Sequence, residues 1–152
     1  MVKSVFPKTG DDAGSQPMAL IVDDEKSMRD FLSIMLGKDG YDVTVAGNGR
    51  SALSAIQSDI YDLVITDVRM PDIDGIAVLA AVKDHSPETV VIMVTAFASA
   101  ETAVEAMKLG AHDYITKPFK VDEIKLVIQK ALEQRLLRKE NILLRREIES
   151  RS

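Results

Sequence analysis

Five short apolar runs, separated by stretches in which apolar residues recur at helical spacing, leave this chain few architectures. Met18 to Val22 and Val90 to Val94 are continuously apolar, as in strands of a parallel sheet covered on both faces. Leu63-Val64-Ile65-Thr66 is a third run of this kind, ending abruptly on Asp67 and a loop that contains Pro71 and Gly75. Tyr41-Asp42-Val43-Thr44-Val45 alternates, which suits a half-exposed strand at a sheet edge, and His112 to Thr116 is the last run. Between the runs the period changes. Helical faces are expected from Met28, Phe31, Leu32, Met35 and Leu36, and then from Ala52, Leu53 and Ile56. Ile76, Leu79, Ala80 and Lys83 form a third face, and Ala100, Ala103, Val104 and Met107 a fourth. Gly37, Gly40, Pro87 and Gly110 offer the stops, and from Val121 the pattern stays helical almost to the end. Five strands alternating with five helices predict an α/β fold with one parallel sheet and helices on both faces. Right-handed crossovers favour the flavodoxin-like (βα)5 order 2-1-3-4-5.

The remaining composition removes several function classes. A chain of 152 residues suits one domain, and the absence of cysteine excludes disulfide scaffolds, thiolate metal sites and thiol nucleophiles. A net charge of -5 gives no general attraction for nucleic acid, and no apolar run reaches membrane-spanning length, so a cytoplasmic protein is expected. Met1 to Pro17 lacks the apolar stretch of a signal peptide and reads as a flexible arm. His85 and His112 fall in different segments and read as surface or loop histidines rather than metal ligands.

In an open α/β sheet, ligands bind just outside the carboxyl ends of the strands, where the winding direction reverses. Alone, a strand-end Asp67 reads as a turn former or helix cap more readily than as a reacting group. Its neighbours change that reading: Asp23 and Asp24 follow the first run, Thr95 the fourth and Lys117 the fifth. Carboxylates at close range either share a proton or bind a cation, and an all-oxygen site with open positions suits Mg²⁺. With a cation neutralising the crevice, Asp67 could attack a phosphoryl group and form an acyl phosphate. Lys117 and the Thr95 hydroxyl would meet the phosphoryl oxygens.

Val22-Asp23-Asp24-Glu25, Asp67-Val68-Arg69-Met70-Pro71-Asp72-Ile73-Asp74-Gly75, Thr95-Ala96 and Lys117-Pro118-Phe119 closely resemble the receiver domain of two-component response regulators, over roughly residues 18–132. The resemblance implies that Asp67 is the phosphoacceptor and that Asp23 and Asp24 hold Mg²⁺, together with Asp67 and the backbone carbonyl of Arg69. It implies that Lys117 contacts the phosphoryl group through a chain kinked by a cis bond to Pro118, and that Thr95 and Tyr114 form the switch. It also implies a partner histidine kinase as phosphate source. Such a chain is a phosphoacceptor that catalyses its own phosphotransfer and dephosphorylation, not an enzyme acting on a separate substrate. The helix after Thr95 carries small side chains that bury little area. It is expected to be loosely held, and so to move when the site is phosphorylated.

The last helix is longer than a receiver needs. Leu137, Asn141, Leu144 and Ile148 follow a coiled-coil seam, with Asn141 able to fix register, although Gln134 and Lys130 break the seam upstream. Residues 133–152 therefore read as a helical linker and possible homodimerisation segment. They resemble the linker of sigma-54-dependent transcription activators, whose ATPase and DNA-binding modules would follow but are absent here. A stand-alone receiver acting through protein contacts is the alternative. Three other readings fit less well. A flavin-binding protein would want hydroxyl- and glycine-rich phosphate loops where acids stand here, and an aspartyl phosphatase would want an acid where Arg69 stands. A pure dimerisation module leaves the acidic crevice unexplained.

Overall fold

The computed structural model describes residues 16–151. The elements in chain order are β1 (Met18–Val22), α1 (Lys26–Lys38), β2 (Asp42–Ala46), α2 (Gly49–Ser58), β3 (Leu63–Thr66), α3 (Gly75–His85), β4 (Val90–Thr95), α4 (Ala100–Lys108), β5 (Asp113–Thr116) and α5 (Val121–Arg151). All strand pairs are parallel and the sheet order is β2-β1-β3-β4-β5, the (βα)5 flavodoxin-like order expected. The alternating strand is β2, at one edge, while β1, β3 and β4 are covered on both faces.

The period of two along each central strand divides the interior into two layers. Register aligns Ala19 with Leu63 and Leu63 with Val90, then Ile21 with Ile65 and Ile65 with Ile92. These rows face α1 and α5, where Leu32, Met35 and Leu36 meet Ile124, Ile128, Ala131 and Leu132. Leu20, Val22, Val64, Val91 and Met93 point the other way, against Ala52 and Ile56 of α2, Val78, Leu79 and Val82 of α3, and Ala106 of α4. Short polar side chains start three of the helices. Asn48 Oδ1 accepts from Ser51 N–H at 2.8 Å, Asp74 Oδ1 from Ala77 N–H at 2.9 Å, and Ser99 Oγ from Thr102 N–H at 3.1 Å. Gly40 and Gly110, at φ of +93° and +103°, reverse the chain after α1 and α4, a conformation that suits glycine alone.

Several expectations change in detail. The inner face of α4 is Ala103 and Ala106, so Ala100, Val104 and Met107 are exposed rather than inward. Ala106 brings the helix close to the sheet, and the larger side chains turn to solvent. In α3 the buried set is Val78, Leu79 and Val82, with Ala80 outside. The arm proposed for residues 1–17 lies almost wholly outside the described residues. Pro17 already belongs to the sheet, since its carbonyl accepts from Asp42 N–H at 2.8 Å. Among the described residues, no helix is long and apolar enough to cross a membrane.

Candidate functional site

The carboxyl ends of β1, β3, β4 and β5 deliver their terminal side chains to one crevice. Backbone bonds carry the ladder one residue beyond the strands: Asp23 N–H donates to Ala46, Asp67 N–H to Val22 and Lys117 N–H to Thr95, at 3.2, 2.9 and 2.9 Å. Each functional side chain is thus held by its neighbour's strand. Asp23 and Asp67 are buried and Asp24 is exposed at the mouth; one carboxylate oxygen from each lies within 4.8 Å of the other two. Lys117 reaches across from β5, its Nζ donating to Asp23 Oδ2 at 2.7 Å and to Asp67 Oδ2 at 3.0 Å. The Lys117–Pro118 peptide is cis, as the resemblance implied. Glu25, largely exposed, stands 4.0 Å from the same ammonium.

One ammonium does not neutralise this many carboxylates. Burial pushes the Asp23 carboxyl above its ordinary value, and the bonds from Lys117 and from Glu25 N–H only partly oppose it. Burial also pulls on Lys117 in the direction of losing its proton, but its bonds to Asp23 and Asp67 outweigh this and hold its pKa above the ordinary value. The crevice therefore keeps an excess of negative charge, with oxygen donors set at the spacing a divalent cation can bridge, and the cluster is able to coordinate Mg²⁺.

The loop after Asp67 is built around that residue. Arg69 N–H donates to Asp67 Oδ1 at 3.3 Å, and Gly75 N–H donates to Val68 carbonyl at 2.7 Å, turning the chain back under the acceptor. Gly75 sits so close that a Cβ there would fall 2.8 Å from the Asp67 carbonyl carbon and 3.0 Å from Val68 Cα, and closer still to the Asp67 oxygen. A Cβ on Gly49 would likewise meet Ile73, so the loop lies directly on the start of α2. Asp72 completes that contact, its carboxylate accepting from Gly49 N–H at 3.0 Å and Arg50 N–H at 2.9 Å. Arg29 supports the other side, donating to the Asp23 carbonyl at 2.7 Å. Sequence reasoning missed Asp72, Gly75 and Arg29 in these roles. Only the Asp74 cap, an Asp immediately before a helical period, carried a local signal.

Thr95 is fully buried at the end of β4, and its Oγ1 accepts from Phe97 N–H at 3.1 Å, so the hydroxyl fastens the loop that leads to α4. Tyr114, half-buried on β5, places its hydroxyl 2.7 Å from Thr102 Oγ1 in the first turn of α4. The Arg69 guanidinium lies 5.3 Å from the centre of the Phe97 ring, joining the loops after β3 and β4 above the crevice. Asp23, Asp24, Asp67 and Lys117 are thus brought together directly, Thr95 ends the adjoining strand, and Tyr114 is tied to α4.

Comparison with known proteins extends this picture. The model of the response regulator receiver domain matches residues 19–129. The regulatory protein AtoC of Escherichia coli (strain K12) is 45% identical over 121 residues, which is 80% of this chain and 26% of AtoC. A CheY-like receiver domain protein from Methanospirillum hungatei JF-1 superposes with a TM-score of 0.79 at 30% identity, covering 82% of this chain and 99% of that one. NtrX from Brucella abortus, in complex with ADP, superposes with a TM-score of 0.78 at 37% identity over 85% of this chain and 30% of NtrX. The chain spans about a quarter of the length of curated relatives such as AtoC.

Proposed function

The chain belongs to the response regulator receiver domain family, and from that premise we propose that it is a phosphoacceptor signalling domain in which Asp67 takes the phosphoryl group, supplied by the phosphohistidine of a sensor histidine kinase. The observation that carries this reading is the cluster itself: Asp23, Asp24 and Asp67 converge with Lys117 held between two of them. In the transfer, an Asp67 carboxylate oxygen bonds to phosphorus as the bond from phosphorus to the imidazole nitrogen breaks. The imidazole keeps the electron pair and takes a proton. Such a loose transition state needs positioning and charge neutralisation more than covalent help. Lys117 neutralises from one side, and the Thr95 hydroxyl, next along the strand ends, supplies a donor once it leaves the Phe97 amide. Asp23, Asp24, Asp67 and the Arg69 carbonyl would hold Mg²⁺, which supplies charge neutralisation for the phosphoryl oxygens when bound. Intact mass after incubation with a small phosphodonor and Mg²⁺ tests the assignment. A metal-dependent phosphoryl adduct is expected in the wild type and absent from Asp67→Ala, and an undiminished adduct in the variant would overturn it.

The switch follows from how α4 is held. Ala106 is its one fully buried residue, while the Thr95 hydroxyl and the Tyr114 hydroxyl fasten its approach and its first turn. Drawing Thr95 toward a phosphoryl group on Asp67 would release Phe97 and unbalance α4, β5 and α5 together.

Residues 18–132 act as the receiver in this reading and 133–152 as a linker. Past Leu132, α5 runs on to Arg151 with Leu137, Leu144 and Ile148 exposed at 63%, 57% and 68%. Those side chains, with Asn141, form the seam of a homodimer that would set two output modules side by side to control transcription in the manner of sigma-54 activators. A stand-alone receiver is the second reading, favoured by the exposed Phe97, Val104 and Met107 around α4. Analytical ultracentrifugation separates them. A dimer lost in Leu137→Glu/Leu144→Glu supports the linker, and a monomer at high concentration with and without a phosphoryl mimic removes it.

A further inference from the structure

At the opposite pole of the sheet from Asp67, where β4 and β5 begin, lies an open cleft of about 420 Å³. The end of α3, the loops before β4 and β5, and the middle of α5 close around it, contributing Lys83, Glu88, His112, Gln134, Arg135 and Arg138. In a chain of net charge -5, three positive charges and a histidine meet here against Glu88 on the rim and Asp62, which pairs with Arg135. Arg135 is partly committed, donating to Asp62 Oδ1 at 2.9 Å and to the Asp62 carbonyl at 3.2 Å. Lys83 Nζ donates to the carbonyls of Thr89 at 2.6 Å and Pro87 at 3.2 Å, which leaves one of its three protons unused. Nδ1 of His112 is buried and has no hydrogen-bond partner. Arg138 is exposed and stands free of any carboxylate among the described residues.

Arg138 and one proton of Lys83 are therefore unspent, and His112 borders the cleft through the edge of its ring away from the buried Nδ1. Burial, reinforced by Lys83 and Arg138, keeps the His112 imidazole below its ordinary pKa. Burial likewise lowers Lys83, with Arg138 and Arg135 adding to the effect and Glu88 opposing it. The groups face inward from three elements: Lys83 from α3, His112 from the start of β5, Arg138 from α5. A carboxylate offers its oxygens in one plane and suits a single guanidinium fork. A tetrahedral phosphoryl group presents oxygens in several directions at once, which is what donors arriving from three sides require. The cleft also exceeds what a bare oxyanion fills and falls in the range of small-molecule sites.

We propose that this cleft binds a small phosphate-bearing molecule, whose phosphoryl oxygens are met by Lys83, His112 and Arg138 and whose remainder lies along Gln134 and the Glu88 rim. Its occupant would join α3 and the start of β5 to the helix that leaves the receiver. The site is independent of Asp67 and stands whether or not that residue is the acceptor.

The test uses pyrophosphate as probe, without divalent metal, while the ring nitrogens of His112 are followed by NMR with His85, exposed at the end of α3, as internal reference. Saturable movement of the His112 signals is expected, with its titration displaced to higher pH and the His85 signals unmoved. The same affinity is expected in Asp67→Ala, and affinity weaker by about 10-fold or more in Arg138→Gln, a surface change whose folding is checked by its melting temperature. A response no larger than that to sodium chloride of equal ionic strength overturns the site. An undiminished affinity in Arg138→Gln overturns the donor assignment, and citrate binding as tightly as pyrophosphate overturns the phosphoryl specificity.

Discussion

A single methyl group at Gly75 should impair chemistry at Asp67, although residue 75 carries no reacting atom. An alanine Cβ there would lie 2.8 Å from the Asp67 carbonyl carbon and 3.0 Å from Val68 Cα, with the Asp67 oxygen nearer still. Ordinary contact begins at 3.4 Å, and the Asp67 oxygen, the nearest atom, sets the requirement, so the strand end and the helix start must separate by more than ~1 Å. Both partners are backbone, and no side-chain rotation relieves the conflict. The displaced segment is the one that aims the acceptor, because Gly75 N–H anchors to Val68 and Arg69 N–H to the Asp67 carboxylate. Overpacking of this kind costs about 1–3 kcal/mol of stability. A misplacement approaching 1 Å at reacting atoms slows a positioned reaction by up to roughly 100-fold. Gly75→Ala is therefore expected to stay folded, melt at lower temperature, and take phosphate from a small donor about 10- to 100-fold more slowly at saturating Mg²⁺. The assay is the time course of adduct formation by intact mass, with far-ultraviolet circular dichroism confirming the fold. A variant phosphorylated at the wild-type rate would refute the idea that this glycine sets the position of Asp67.

Three further outcomes follow from the site and its supports. The folded-state pKa of Asp23 is raised above 3.8, so its contribution to stability is fully present below that value and lost as pH rises through the folded value; metal-free Asp23→Asn should thus have a higher urea midpoint than wild type at pH 7, and Mg²⁺ should raise the midpoint of the wild type alone. Asp72 is the opposite case: N–H groups of Arg50, Ile73 and Gly49 hold its pKa down to about 2, so its support of α2 is present above 3.8 and fades as pH falls toward 2. Amide exchange at Gly49 and Arg50 should accelerate in Asp72→Ala at neutral pH, and in the wild type protection there should drop across that acid window. Tyr114→Phe removes the 2.7 Å contact with Thr102, and at about 1 kcal/mol for such a bond exchange across the first turn of α4 should quicken roughly 5-fold, with β1 unaffected.

How much of this was legible in the sequence depended on the distance over which each decision is made. Strand identity is local: four buried residues in a row at Leu63 to Thr66, then a carboxylate, announce a covered strand and its end, so Asp23, Asp67, Thr95 and Lys117 could be placed before any coordinates. Helix faces are decided by what packs against them. In α4 apolar side chains occupy both sides, and the sheet selected Ala106, the small one, leaving Val104 and Met107 outside. Contacts between distant residues leave no local trace at all. Asp72 caps a helix that begins 23 residues earlier, and Arg135 bonds Asp62 across 73 residues, so neither could be read from spacing.

The length of α5 gives the receiver a mechanical property. Leu132 is the last residue of the helix buried in the core, and the helix continues from there to Arg151, a projection of about 28 Å at 1.5 Å per residue. The Arg135–Asp62 pair grips the helix within the first turn beyond that point, so the free part behaves as a lever with its fulcrum at the sheet. A rotation of about 10° at the root carries the tip about 5 Å sideways, half the distance between the axes of two packed helices. Adjustments at the strand ends too small to disturb the core would therefore be magnified at Arg151 to a displacement that any partner of this helix would register.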